Sequence, residues 1–351
     1  MTVVPRPPRQ GTVTPTRETA MSLLLSRRRF IGISAAAAGL GLLPFGRAAK
    51  ADAHLVTWRG QAMGAVATLQ VHHHDRSAAE RLVERSLAEV RRLEAVFSLY
   101  REDSALAELN RHGVLVAPPA DLVALLNECR RWWALSDGAF DPTVQVLWTL
   151  YRDHFSEPGA DPRGPSGTSL RDALGRVGFG RLAFDANRIA LPRRGMGLTL
   201  NGIAQGYVTD RVVDILRAGG IGSSLVDMGE PRAVGFHPSG APWRVGIADP
   251  EHPGQFEDTL EVIDRAVATS GSYGFRFDRH GHFNHLLDPR TGASAHLHRS
   301  VTVVKETAAA ADALSTAFSL LPEDGIANVL REVGGEVRLV RADGKRRVLR
   351  G

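Results

Sequence analysis

The chain has one cysteine in 351 residues, Cys129. It can close no intramolecular disulfide, and its place in the helical run 122–131 makes it a packing residue. It does not follow the apolar N-terminal stretch, so it offers no lipid-anchor site there. Long apolar runs are also missing. The strongest, 31–45, is too short and too weakly apolar to span a bilayer. No internal repeat is present, and low complexity is confined to the N-terminal segment and a Gly/Pro/Ser-rich surface loop over 157–169. The body of the chain also lacks a basic excess, although the formal net charge is +5. Residues 1–51 carry eight Lys/Arg and one acidic residue, leaving 35 basic against 37 acidic in the remainder. Charge therefore gives no reason to expect a nucleic-acid partner.

The basic excess belongs to an export signal. Ser26-Arg27-Arg28-Arg29-Phe30-Ile31 is a twin-arginine pattern, followed by an Ala/Gly-rich apolar run. Arg47-Ala48-Ala49-Lys50-Ala51 then offers a small-x-small cleavage site. Residues 1–51 are thus expected to be signal and leader, with Met21 as an alternative start, and 52–351 to be one folded domain in a periplasm-like space. An uncut anchor helix is the competing reading. The twin-arginine route carries folded proteins, which suits a chain that loads a bulky cofactor before export.

Apolar spacing organises the rest. A first strand is expected over 58–71, with Gly64 marking a bulge or close approach. His72-His73-His74-Asp75 reads as a solvated turn rather than a metal cluster, because successive strand residues point in alternate directions. Residues 77–96 carry Ala79, Leu82, Leu87, Val90, Leu93 and Val96 at helical spacing. Further helices are expected from Ser104 as N-cap, over 118–136, and after Pro142 with Asp141 as cap. A hairpin spans 182–191, and a strand over 198–200 leads into a helix over 203–218. The free N–H groups near Asn201 and Gly202 suit an anion, or simply a close strand–helix junction. Strands follow at 223–228, 243–248, 263–270 and 300–304, a hairpin at 275–282, a helix at 307–321, and strands at 336–340 and 345–349. Helices and antiparallel hairpins without regular βαβ alternation make the fold class α+β, with mixed, largely antiparallel sheets and flanking helices.

Two stretches carry chemistry-bearing residues. Phe283–Gly292 reads F-N-H-L-L-D-P-R-T-G and puts His285, Asp288 and Thr291 around a rigid turn, which an ordinary Asx-type turn also explains. In the second, Asp312 and Thr316 lie four apart on an Ala-rich helix and so share a face. A carboxylate and a hydroxyl stacked there suit a hard cation, unless Thr316 bonds back to its own helix and Asp312 is exposed.

In order, these stretches resemble the ApbE family of FAD:protein FMN transferases over roughly residues 58–321. The matching residues are Ala62-Met63-Gly64; Phe97-Ser98-Leu99-Tyr100 with Ser104 and Leu109-Asn110; and Gly138-Ala139-Phe140-Asp141-Pro142-Thr143. They continue with Gly202-Ile203-Ala204-Gln205-Gly206-Tyr207 and Asp210; Thr269-Ser270-Gly271-Ser272-Tyr273; His285 to Gly292; and Ala311-Asp312-Ala313-Leu314-Ser315-Thr316. The resemblance implies a T-fold-related, two-lobed single catalytic unit. It also implies magnesium-dependent cleavage of FAD at its diphosphate, attachment of FMN through a phosphoester to Thr or Ser of a partner flavoprotein, and release of AMP. Such partners typically belong to membrane redox complexes. Carried over position by position, Asp312, Thr316 and the Gly202 carbonyl hold Mg2+. Met63, Tyr100, Ala139, Phe140, Asp141, Thr199, Gln205 and Leu287 contact FAD. His285 is the general base, with Asp288 next in line.

The chain departs from the family pattern in places. Gln205 stands where lysine is usual, Thr199 where an acid is usual, Ala65 for threonine, Asn284 for histidine, and Glu230 where a second glycine is common. The export signal narrows the likeness to exported relatives such as the NosX proteins, which assist nitrous oxide reductase by flavinylating a membrane partner. The other readings are a periplasmic FAD carrier or scaffold without turnover, kept open by Gln205 and Thr199, and an FAD pyrophosphatase.

Overall fold

The computed structural model describes residues 54–351 apart from 250–251 and 253–254. The twin-arginine pattern and leader lie outside the described residues.

The chain opens with β1 (His54–Ala62) and β2 (Ala65–His73), then α1 (Arg76–Phe97), α2 (Ala105–His112), β3 (Val114–Val116) and α3 (Ala120–Leu135). A 3-10 turn, Pro142–Val144, leads into α4 (Gln145–Ser156); α5 (Gly167–Leu174), a second 3-10 turn (Phe179–Arg181), β4 (Ala183–Phe184) and β5 (Arg188–Ala190) follow. Next come α6 (Ala204–Ala218), β6 (Ser224–Asp227), β7 (Pro231–Val234), β8 (Trp243–Ala248), β9 (Phe256–Val262) and β10 (Ala266–Gly271). The chain closes with β11 (His298–Lys305), α7 (Ala308–Phe318), α8 (Glu323–Val333), β12 (Glu336–Arg341) and β13 (Arg346–Arg350).

Eight strands form one antiparallel sheet in the order β1-β2-β6-β7-β10-β11-β12-β13, beside a three-stranded sheet and the β8–β9 ribbon. The class is α+β, as expected. Alternation along the central strands divides the packing. Val226, Val234 and Ala268 join the main core with α1, α6 and α7, whereas Leu225, Ala233 and Val267 face Trp243, Val245, Leu260 and Val262 of the ribbon. Period-two side-chain direction thus gives the sheet helices on one face and the ribbon on the other. A third apolar cluster joins Leu147 and Tyr151 of α4 with Ala173 of α5 and Leu287. The Tyr151 hydroxyl ties it to the Gly292 carbonyl at 2.9 Å.

Helix α7 sits between α6 and strands β10 and β11. Its alanines let it be buried on nearly every side. Gly206 makes that approach possible, since a Cβ there would stand 2.3 Å from the Ala308 carbonyl oxygen. Asp210 anchors the junction: its oxygens accept the Ala308 and Ala309 amides at 2.9 Å each and pair with Arg232. Thr307 caps the helix.

Several expectations are corrected. The strand expected over 58–71 is a hairpin, because Met63 (φ 52) and Gly64 (φ 79) are both left-handed and turn the chain between Ala62 and Ala65. His72 is not in a solvated turn; its ring lies 5.9 Å from those of His237 and Trp243. The strand expected over 198–200 does not form. Residues 198–199 are held instead by the Asn110 side chain, which accepts from and donates to Leu198, and by the Pro142 carbonyl, which accepts from Thr199. The hairpin expected over 275–282 is a wider loop closed by the lone bridge Arg276–Asn284. Among the described residues, no helix is long and apolar enough to cross a membrane.

Candidate functional site

A cavity of about 420 Å³ opens between α4, the start of α6, the end of β10 and α7. That is large enough for a cofactor-sized ligand. Its walls include Tyr100, Gln145, Trp148, Arg152, Thr199, Gly202, Gln205, Glu230, His285, Asp312 and Thr316. A smaller pocket shares Thr199, Gly202, His285 and Thr316 with it and adds Ala139, Phe140, Asp141 and Leu287. Residues expected from five separate stretches are therefore brought together.

The α7 wall is built first. Asp312 and Thr316 do share a face, and Asp312 is buried rather than exposed, only 4% accessible. Its Oδ2 accepts the Gly206 amide in the first turn of α6, where helix N–H groups favour negative charge. Burial nevertheless pushes its carboxyl above the usual range, and Asp210 adds to the shift. Thr316 faces Gly202 so closely that a Cβ on residue 202 would stand 2.9 Å from its hydroxyl oxygen. The Thr316 hydroxyl is thus turned to the cavity side, 3.5 Å from the Ser270 hydroxyl. Asp312, Thr316 and the segment at Gly202 form one oxygen-rich corner, a donor set that fits a hard divalent cation. Among the described residues no three His, Cys, Asp or Glu side chains gather as a metal cluster. A cation here would rely on hydroxyl and carbonyl oxygens beside carboxylate.

His285 lines both spaces with Gly202 and Thr316. Its Nδ1 lies 3.2 Å from both the amide nitrogen and the carbonyl oxygen of Phe275, and a Cβ on Gly274 would come 3.0 Å from its Cε1. Burial lowers its pKa to about 4, so the ring is neutral at pH 7. With the proton on Nδ1 donated to the Phe275 carbonyl, Nε2 is a bare base.

Other expected residues fall into different roles. Tyr100 is 53% exposed at the cavity mouth, its hydroxyl accepting from the Asn201 amide at 3.3 Å. Asp141 lines the smaller pocket with its carboxylate fully engaged by Thr143 and by the Phe179 amide. It holds the turn into α4 in place. Gln205 packs against Gly229, where a Cβ would come 2.7 Å from its Cδ. Two expected residues line neither space. Met63 forms the β1–β2 turn, its amide donating to Glu94 at 2.6 Å. Asp288 accepts the Arg290 amide and pairs with the Arg290 guanidinium, as the plain Asx-turn reading has it.

Sequence reasoning passed over Trp148 and Arg152, four apart on α4, and gave Ser270 no role although it lies in a matched stretch. Glu230 it noted only as a departure from pattern. That residue is 6% exposed and lines the cavity. Its carboxyl is pushed well above the usual range by burial, then by Asp312 and Asp227.

The ApbE family model matches residues 63–340. An FAD:protein FMN transferase of Treponema pallidum is 34% identical over 266 residues, covering 69% of this chain and 72% of that protein. One from Haemophilus influenzae is 29% identical over 311 residues, covering 84% and 87%. The apo flavinyl transferase ApbE of Pseudomonas stutzeri superposes with a TM-score of 0.71 at 30% identity, over 86% of this chain and 97% of that one. The ApbE protein of Thermotoga maritima gives 0.74 at 28%, over 84% and 97%. The chain belongs to the ApbE family.

Proposed function

We propose that the chain is a magnesium-dependent FAD:protein FMN transferase. A Thr or Ser hydroxyl of a partner protein attacks the FMN phosphorus of FAD. The bond from that phosphorus to the bridging oxygen breaks, AMP leaves with that oxygen, and FMN remains on the partner as a phosphoester. The observation that carries this reading is the convergence of Asp312, Thr316 and Gly202 on one corner of a cavity that a neutral His285 also lines.

Phosphoryl transfer asks for positioning and charge neutralisation more than covalent work. Asp312, Thr316 and the Gly202 carbonyl would hold the magnesium, which when bound neutralises diphosphate charge. His285 Nε2 takes the proton of the incoming hydroxyl. Trp148 and Tyr100 offer aromatic faces to the ring systems of FAD. Arg152 is the one Lys or Arg among the cavity-lining residues, and it serves the phosphate end in the absence of a lysine at position 205.

The twin-arginine pattern supports export to the periplasm and a partner at the membrane, and it alone supports a link to nitrous oxide reduction. Replacing Asp312 tests the catalytic reading: Asp312→Ala abolishes FMN transfer at ordinary magnesium while the chain still folds. Near-normal transfer by that variant would remove the metal assignment.

A further inference from the structure

Glu230 sits where the family pattern leads one to expect glycine, and its surroundings do not explain it as a packing residue. It is the last residue of the β6–β7 turn, 6% exposed, on the wall of the same cavity as Asp312 and Thr316. Its main-chain carbonyl is used, accepting the Thr209 hydroxyl at 2.9 Å. Its side chain is only half used: the Thr269 amide donates to the carboxyl, while Oε2 is buried with no hydrogen-bond partner among the described residues. A buried carboxylate oxygen left without a donor is costly, and proteins keep such groups where a ligand completes them. No Lys or Arg forms an ion pair with Glu230 or with Asp312 among the described residues, where Arg232 is committed to Asp210 and Lys305 to Glu306. The neighbouring position 205, which packs on Gly229, is a neutral glutamine. Gln205 in place of a cation and Glu230 in place of glycine each make the cavity lining one charge more negative than the usual pattern, and Thr199 in place of an acid returns one, so the second carboxylate has moved to position 230.

We propose that Glu230 is a ligand of the divalent cation held by Asp312, Thr316 and the Gly202 carbonyl, so that this chain grips its metal with two carboxylates. The inference rests on the metal site proposed above. Two carboxylates, a hydroxyl and a carbonyl still leave coordination positions for the diphosphate of the substrate, as magnesium sites require. The second carboxylate raises affinity for the free cation, because ligand charge sets how tightly an oxygen site holds it.

The test uses Mn2+ as probe, with the full chain and no FAD, and reads free Mn2+ by its electron paramagnetic resonance signal. Wild type, Glu230→Gln and Asp312→Asn are compared, and thermal melting without metal checks folding. The expected result is weaker Mn2+ binding in both variants, tenfold or more for Glu230→Gln, with its metal-free melting temperature equal to or above that of wild type. If Asp312→Asn weakens binding and Glu230→Gln does not, Glu230 is no ligand and the metal site stands without it. If neither variant changes binding, or wild type binds no Mn2+, the metal site and this inference both fall. Should Glu230→Gln not fold, Glu230→Asp keeps the charge and withdraws the carboxylate by one methylene. It must then lose Mn2+ affinity, and an unchanged affinity overturns the proposal.

Discussion

At the scale of single residues, the site depends on close approaches that leave no room for change. Gly202→Ala would place a methyl 2.9 Å from the Thr316 hydroxyl oxygen. The hydroxyl must then move from the proposed cation corner, so transfer should fall at least tenfold with the melting temperature little altered, as a steady-state assay and a melt would show. His285→Ala should retain FAD binding and slow transfer by about 10²–10⁴, the range of a general base. Because burial holds that imidazole near pH 4, the acid limb of the wild-type rate profile that His285 sets should lie well below pH 6.5. A second buried imidazole bears on stability. Burial, and His237 beside it, lowers His72 to about 4, whereas in the unfolded chain it titrates near 6.5. The unfolded state therefore binds the proton first, so the contribution is whole above pH 6.5 and is lost as pH falls towards 4. Discounted for partial exposure, it amounts to about 1–2 kcal/mol. His72→Phe should make melting less sensitive to acid between pH 7 and 5. Most of these side chains were legible from sequence because their types and order identify the chemistry. Glu230 was not, since an unpartnered oxygen is a property of its surroundings, and neither was Met63's left-handed backbone.

At the scale of elements, the α6–α7 crossing positions the α7 side chains. Ala is ordinarily favoured over Gly within a helix by about 1 kcal/mol. At position 206 the clash with the Ala308 main chain outweighs that preference. Gly206→Ala should therefore cost about 2–3 kcal/mol, read as a lowered denaturation midpoint. Asp210→Ala strands the Arg232 guanidinium, whose side chain is only 9% exposed, and frees the α7 N-terminus. A loss of about 3–5 kcal/mol is expected, with weakened metal binding. Periodic helices such as α1 were readable almost to the residue. The β1–β2 hairpin was read as one strand because its turn lacks the usual Asn-Gly or Asp-Gly signal. The segment before α6 alternates like a strand, yet the Asn110 side chain takes the place of a neighbouring strand. Helix α5 and strands β3 and β7 went unread, being short pieces fixed by tertiary packing; α8 was missed although Ile326, Val329, Leu330 and Val333 lie at helical spacing, and so was the seven-residue β9.

At the scale of the molecule, strand order was invisible in the sequence. β7 lies next to β10 although the β8–β9 ribbon separates them in the chain. That excursion brings Glu230, Thr269 and Ser270 to the cavity, while α4 adds Gln145, Trp148 and Arg152 to its lining. The family likeness anticipated which motifs would meet, and the topology explains how.

The central claim is transfer of FMN to protein. The most direct measurement is the intact mass of an acceptor domain bearing a Thr in a Ser/Thr-Gly-Ala-Thr context, incubated with this chain, FAD and magnesium. The account predicts an added FMN mass on that threonine, AMP in equal amount, and neither product with Asp312→Ala. Free FMN and AMP with an unmodified acceptor would mark a pyrophosphatase. Intact FAD bound to the chain with no product would mark a carrier. Either result would contradict the transferase.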